Sequence, residues 1–347
     1  MLPHRFFEIE LTNRCNLNCI HCRNSISNAN SLPYEDLNKI LESIFEFPSE
    51  DRYIALSGGE PLLYPHIKEV IEKIISKNIE VQLVTNATVM RRDFFDFIRS
   101  FPEDKLYFAI SIDGDRKTHN EIRRWDRAFD TTVESIKKLK ELGFQVGINF
   151  TLNSKNVNQF DYVYNLCLDL KVDILKVRMP IECGRVSYEN ENFSRHRDYL
   201  KVLEKAVKLS ENSLERDGIK VESNDPLWWS FPSKKRNSIL EKIEKGSNFL
   251  GGCTAGWLQL FIDAKGDVYP CAYLPIKLGN AIEDDLCEIL YKNISFLYNI
   301  TKRDKFELCA ECEYKLICGG CRARAYWKEG NLFGSDPLCP FELGLDG

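Results

Sequence analysis

Six short apolar runs, each set off by a helix-like stretch, constrain the fold of this chain most tightly. The runs are Phe6–Leu11, Tyr53–Ser57, Val81–Thr85, Leu106–Ile112, Val146–Thr151 and Ile174–Met179. Each is rich in β-branched or aromatic residues, the composition of a buried strand. Between them lie Tyr34–Phe47, His66–Lys77, Arg91–Arg99, Asp130–Leu142 and Asn156–Leu170, where apolar residues recur at three and four, as in Leu37, Ile40, Leu41 and Ile44. That is the period of an amphipathic helix. Asn78 and Gly143 stand where helix ends favour left-handed backbone. Strand and helix in alternation predict an α/β fold with a parallel sheet and right-handed crossovers. The sheet is either open and doubly wound or a partial barrel, and in both cases ligands gather at the C-terminal ends of the strands.

At that end, just after the first run, stands Cys15-Asn-Leu-Asn-Cys19-Ile-His-Cys22. Three thiols in one loop suit a metal or an iron–sulfur cluster and leave it one ligand short. A structural zinc site closes with four ligands, and His21 would complete one. A three-cysteine cluster instead keeps one iron open. The chain has 13 cysteines. Seven more, Cys253, Cys271, Cys309, Cys312, Cys318, Cys321 and Cys339, crowd the C-terminal stretch, leaving only Cys167, Cys183 and Cys287 apart. There is no apolar export signal and no span long enough for a bilayer, so a cytoplasmic location is expected. In that reducing setting, close cysteine pairs read as metal or cluster ligands. A net charge of -5 with 29% charged residues excludes a nucleic-acid protein built on a basic surface.

Beyond residue 180 the pattern changes. His196 to Asp217 predicts one long helix with Leu200, Leu203, Val207 and Leu214 on a face. Asp225-Pro-Leu-Trp-Trp-Ser-Phe-Pro reads as an aromatic loop in a connecting region, its tryptophans packed in the core or walling a substrate. Leu258–Ile262 and Val268–Tyr269 flank Asp263-Ala-Lys-Gly266, a hairpin signal between Cys253 and Cys271. Cys309-x-x-Cys312 and Cys318-x-x-Cys321 fit a zinc ribbon, but that reading leaves Cys253, Cys271 and Cys339 unused.

Small polar groups mark the other strand ends. Ser57-Gly58-Gly59-Glu60-Pro61 offers close backbone approach and a carboxylate for a ligand amine. Thr85-Asn86, Ser111-Ile-Asp113, Asn149, Arg123 with Arg124, and Arg178 complete a polar ring suited to a nucleoside-like cofactor.

Cys-x-x-x-Cys-x-x-Cys after the first strand, with Gly-Gly-Glu-Pro after the second, resembles the radical S-adenosylmethionine (SAM) superfamily. The resemblance spans roughly the first 215 residues and implies a partial (β/α)6 TIM-type barrel. It implies that Cys15, Cys19 and Cys22 hold a 4Fe–4S cluster whose fourth iron takes the amine and carboxylate of SAM. Gly58, Gly59 and Glu60 would meet the methionyl amine, and Ser111 and Asp113 the ribose or carboxylate. Asn86, Arg123 and Asn149 join the cofactor site. Reductive cleavage would then give a 5′-deoxyadenosyl radical. Thr85-Asn-Ala87 departs from the Thr-Asn-Gly of many relatives.

The C-terminal cysteines are similar in order to the SPASM extension, a small domain stapled by two auxiliary clusters. That implies Cys309, Cys312, Cys318 and Cys339 on an outer cluster and Cys253, Cys271 and Cys321 on an inner one, whose fourth position is open, water-bound or substrate-bound. Three 4Fe–4S clusters follow in all. The expected domains are a radical SAM core over 1–215, a connecting region over 216–250 and a SPASM domain over 251–347. The resemblance implies an enzyme that modifies a ribosomally made peptide by cross-linking, epimerisation or decarboxylation, with a leader-binding partner on a separate chain. The alternatives are a small-molecule enzyme, such as a haem-pathway propionate decarboxylase with Arg322 and Arg324 as carboxylate partners, and a non-catalytic electron carrier. An electron donor such as flavodoxin or ferredoxin is implied for the enzyme readings. Cys183, just past the sixth strand, reads as a buried apolar residue or as a hydrogen-atom donor at the barrel mouth. Cys167 and Cys287 read as core.

Overall fold

A computed structural model describes residues 4–24, 30–49, 51–185, 195–247 and 250–344. Alternation builds the strands. In β1 (Phe6–Thr12), Phe7, Ile9 and Leu11 are fully buried, whereas Phe6 and Glu8 face a central cavity. β2 (Tyr53–Gly58), β3 (Glu80–Thr85), β4 (Leu106–Ser111), β5 (Gln145–Thr151) and β6 (Ile174–Arg178) follow, all parallel and each bounded within one residue of the expected run. The crossovers are α1 (Tyr34–Glu46), α2 (Ile67–Ser76), α3 (Arg92–Ile98), α4 (Arg116–Arg123) with α5 (Ala128–Glu141), and α6 (Phe160–Asp169). Asn78 and Gly143 do adopt positive φ at the ends of α2 and α5.

The departures have local causes. The short helix α4 went unforeseen because it buries only His119, Ile122 and Arg123 and shows no apolar period. The last crossover helix starts at Phe160, not Asn156, because the Asn156 side chain is taken by Asn153 N and Thr151 O. The expected long helix breaks into α7 (His196–Ser210) and α8 (Ser213–Asp217), which turns Leu214 outward to 58% exposure. Next, β7 (Lys220–Glu222) pairs with β6 inside the stretch expected to be connection. It is three residues long and two are charged, too little for a sequence signal. The Asp225-capped turn Pro226–Ser230 and the exposed α9 (Lys234–Glu244) complete that stretch.

The hairpin forms as β8 (Gln259–Ile262) and β9 (Asp267–Tyr269), with β10 (Gly279–Asn280) beside it. Asp263 accepts from Lys265 N and Asp267 N to close the turn. Unexpectedly, β8 runs parallel to β1, Phe6 opposite Gln259 through Ile9 opposite Ile262. The C-terminal domain therefore shares one sheet with the core, in the order β10-β9-β8-β1-β2-β3-β4-β5-β6-β7. The helices α10 (Leu286–Lys292), α11 (Ile294–Asn299) and α12 (Arg322–Glu329) follow.

Side chains from β1 through β7, among them Glu8, Ser57, Gln82, Tyr107, Asn149, Lys176 and Glu222, line one cavity of about 820 Å³. A sheet whose strands share one interior space is curled, which selects the partial barrel over the open sheet. Among the described residues, no helix is long and apolar enough to cross a membrane.

Candidate active site

The three-thiol loop leaves β1 at the C-terminal rim and is gripped along its whole length. At its start, Gly59 N donates to Thr12 O at 2.7 Å and Glu60 N to Arg14 O at 2.8 Å. A Cβ on Gly58 would lie 2.2 Å from Thr12 O, and one on Gly59 would lie 2.2 Å from Arg14 O. The glycine pair thus exists to let β2 press backbone against the loop, and the N–H groups it frees are used there. In the middle, Asn86 Nδ2 donates to Asn16 Oδ1 at 3.1 Å, and Ile20 N donates to Ile122 O at 3.0 Å. At its end, Arg185 N donates to Cys22 O and Arg185 Nε to Cys19 O. A Cβ on Gly184 would lie 2.1 Å from Arg23 O. Sequence reasoning missed Gly184 and Arg185; their adjacency to Cys183 was the only signal.

Glu60 is placed differently from expectation. Its carboxylate is fully buried and does not line the cavity. It accepts from Thr85 Oγ1 at 2.6 Å, Asn86 N at 2.9 Å and Leu62 N at 3.2 Å. Burial pushes its pKa up to about 7 against those three donors. In this structure the side chain braces the β3 rim. Asn86, Gly58 and Gly59 do line the cavity. Ala87 holds φ 58°, with Ser135 Oγ donating to its carbonyl, so the position after Asn86 is left-handed although it carries a side chain.

Asp113 is likewise set back. It is fully buried, and Arg123 Nε donates to its Oδ2 at 2.6 Å. Burial works to raise its pKa, but Arg123, His21 and His119 outweigh it and the net shift is downward. Arg123, held by this acid, faces the cavity and reaches Cys19 Sγ with Nη1 at 3.6 Å. His21 stands 3.9 Å from Asp113, and burial lowers its pKa to about 4. His21 belongs to the Asp113 cluster. Ser111 and Asn149 sit side by side on β4 and β5 and line the cavity.

The far wall comes from the loop after β6 and from the C-terminal domain. Cys183 is buried, lines the cavity and stands near Cys22 and Arg23; burial raises its thiol pKa to about 11. Arg23 is held by Glu10 at 3.1 Å and lies over the Phe261 ring at 4.6 Å. Lys176 is taken by Glu222 at 3.1 Å. Arg178, two residues on, faces the cavity with no ion-pair partner among the described residues. Tyr273 lies within reach of both Arg178 and Arg23, and burial raises its pKa, so its hydroxyl stays a donor. The two tryptophans divide the expected roles: Trp228 is core, and Trp229 lines the cavity.

The seven C-terminal thiols separate into two neighbourhoods. Cys271 feels the charges of Cys253 and Cys321, and all three line the same cavity as Cys15, Cys19 and Cys22. Cys309 feels Cys312, while Cys318 feels Cys309 and Cys339. The pairing of β8 with β1 is what carries the first trio to the barrel mouth. Arg322 and Arg324 do not face that mouth. Arg324 is clamped by Asp225 at 2.5 Å and Asp336 at 2.7 Å, and Arg322 donates to the carbonyls of Leu332 and Gly334. Cys167 is core as expected, whereas Cys287 is only half-buried, in the first turn of α10.

The family model described as the radical SAM superfamily matches residues 9–167, and that of the SPASM iron–sulfur cluster-binding domain matches residues 253–313. AdoMet-dependent heme synthase of Methanosarcina barkeri (strain Fusaro) is 28% identical, covering 98% of this chain and 97% of its own length. The subtilosin biosynthesis protein AlbA of Bacillus subtilis (strain 168) is 23% identical, covering 90% of this chain and 66% of its own length. The solved structure of anSMEcpe with bound AdoMet superposes with a TM-score of 0.76 at 22% identity, covering 99% of this chain and 96% of that one.

Proposed function

The chain is a radical SAM enzyme with a SPASM iron–sulfur domain, using SAM and 4Fe–4S clusters, and on that premise we propose that it oxidatively decarboxylates a propionate-bearing small molecule of the tetrapyrrole class. One observation carries the reading. A single cavity is lined by Cys15, Cys19 and Cys22, by Cys253, Cys271 and Cys321, and by Arg178, a cation that no acid of the described residues answers. The end-to-end likeness to a heme synthase supports it.

In this reading Cys15, Cys19 and Cys22 hold the SAM-binding cluster, and Gly58, Gly59, Asn86, Ser111, Arg123 and Asn149 surround SAM. Glu60 and Asp113 act one step back, as braces of Asn86 and Arg123. Cys253, Cys271 and Cys321 serve the inner cluster, and Cys309, Cys312, Cys318 and Cys339 the outer one. Those cofactors, when bound and given an electron by a flavodoxin or ferredoxin, would supply the radical chemistry that removes a hydrogen atom from the substrate. Arg178 anchors the substrate carboxylate, and the Tyr273 hydroxyl assists. A –CH2–CH2–COO⁻ arm that has lost a hydrogen atom beside the ring becomes a vinyl group by releasing carbon dioxide and one electron. The inner cluster that Cys253, Cys271 and Cys321 would hold would accept that electron. The backbone grip on the loop keeps the three thiols fixed while substrate enters.

A second reading, modification of a ribosomally made peptide helped by a separate leader-binding protein, is favoured by the likeness to AlbA. The test is anaerobic turnover of the reconstituted protein with SAM, reductant and a propionate-bearing porphyrin, followed by mass spectrometry. Vinyl product is expected with 5′-deoxyadenosine in equal amount. Arg178→Gln should cost about ten- to a hundredfold in kcat/KM, the worth of a charged hydrogen bond, while 5′-deoxyadenosine still forms. If no porphyrin carboxylate reacts but a co-encoded peptide does, the second reading replaces the first.

A further inference from the structure

We propose that Arg303 and Arg322 are positioning residues for the redox state of the C-terminal clusters: Arg303 raises the reduction potential of both, and Arg322 raises that of the outer one. The inference rests on the cluster-ligand reading above.

Both guanidinium groups are among the most buried charges in the molecule, Arg303 at 3% and Arg322 at 1% exposure. Their neighbour Arg324 is answered by Asp225 and Asp336. Arg303 and Arg322 have no carboxylate partner among the described residues. Arg303 Nη2 donates to Gly251 O at 3.0 Å and Cys253 O at 3.2 Å, but its Nε is buried without a partner. Arg322 Nη1 donates to Leu332 O and Gly334 O, but its Nε and Nη2 are buried without partners. Both groups lie over the Phe306 ring, at 5.3 and 4.0 Å.

The Cys318-Gly-Gly-Cys321 turn is hollowed around them. A Cβ on Gly319 would lie 2.6 Å from Arg303 Nε, and one on Gly320 would lie 2.8 Å from Arg322 Nη2. The orphaned N–H groups therefore face the turn that carries two of the thiols. Arg303 is in electrostatic reach of Cys253 from one trio and of Cys318 and Cys309 from the other group. Arg322 acts on Cys309.

A buried cation without a counter-charge is strongly unfavourable. Thiolate-ligated clusters carry net negative charge, so cluster binding supplies what these arginines lack. The same attraction favours the more negative, reduced form, which raises the potential. Higher potentials suit clusters that accept an electron from an oxidised substrate, and position between the two groups makes Arg303 common to both.

The test is a potentiometric titration of the full, reconstituted chain, read by electron paramagnetic resonance, with iron content measured alongside. In Arg303→Gln both auxiliary signals should move to more negative potential while the SAM-cluster signal stays, and Arg303→Lys should restore most of the shift. Arg322→Gln should move the outer signal alone. Full iron with unmoved auxiliary potentials, or an equal shift of all three signals, overturns the proposal. If Arg303→Gln loses auxiliary iron, retention by Arg303→Lys supports charge compensation, and loss in both leaves Arg322→Gln to decide. Failure of the ligand reading is separable: Cys253→Ser and Cys339→Ser would then leave iron content unchanged.

Discussion

At the barrel mouth, Arg123 beside Cys19 is answered by Asp113, and Arg23 beside Cys22 by Glu10 and Glu8. In the C-terminal domain Arg303 and Arg322, just as buried, meet thiols and carbonyls but no acid among the described residues. The mechanical supports differ in the same way. The N-terminal loop is pressed by backbone on backbone at Gly58, Gly59 and Gly184. The C-terminal turn is pressed by guanidinium groups at Gly319 and Gly320. The first site is built to stay put, with the arginines beside Cys19 and Cys22 already answered by acids. The second holds positive charge in waiting for an anionic group.

Putting the same methyl group into both regions breaks the comparison most sharply. Gly59→Ala drives a Cβ into the Arg14 carbonyl, which cannot yield without moving the loop. We expect a loss of about 3 kcal/mol, iron missing from the N-terminal cluster and no 5′-deoxyadenosine. Gly319→Ala meets the end of a flexible side chain and a φ of 69°, so about 1–2 kcal/mol from the left-handed backbone is expected. SAM cleavage should persist in that variant, and denaturant midpoints with iron assays check both. Equal damage from the two substitutions would dissolve the distinction.

Glu182 sharpens it from between the regions. Its carboxyl is buried, its Oε2 has no partner, and Arg324 is the cation that acts on it. Burial pushes its pKa up to about 8 despite Arg324. The native state then keeps a proton that the unfolded chain releases near its ordinary value of 4.5. Its contribution to stability therefore falls as pH rises from about 4.5 to about 8. Glu60, raised to about 7, shares the lower part of that window, so Glu182→Gln should raise relative stability most between about pH 7 and 8 in thermal melts; a difference from the parent that does not change with pH there would assign the slope to another group. The smallest effect concerns Ala87, whose left-handed φ costs about 1 kcal/mol. Ala87→Gly gives part of that back to the unfolded chain's entropy, leaving a gain of about 0.5 kcal/mol, visible as a slightly higher denaturant midpoint with unchanged iron.

The core strands were legible because each residue's side was written locally: Phe7, Ile9 and Leu11 against Glu8 is a pattern of period two. The first thiols were legible because Cys15, Cys19 and Cys22 stand in one short loop. Roles were less so. Glu60 and Asp113 are of the right type and at the right strand ends, yet an acid there can face a ligand or hold the residue that does. Only burial and partners distinguish the two. Arg322 and Arg324 stood side by side as carboxylate partners, and the fold turned both inward. Arg303 offered no signal, since its meaning depends on two thiol groups brought around it from distant segments.

The pairing of β8 with β1 also has a history within each molecule's making. The ribosome delivers Phe6–Thr12 first and Gln259–Ile262 more than two hundred residues later. Until then β1 is an open edge, with a row of unpaired backbone groups and apolar side chains, the kind of template that recruits other chains. A nascent or truncated barrel is thus adhesive by construction. The C-terminal segment shields that edge, so escape from aggregation depends on a late part of the chain.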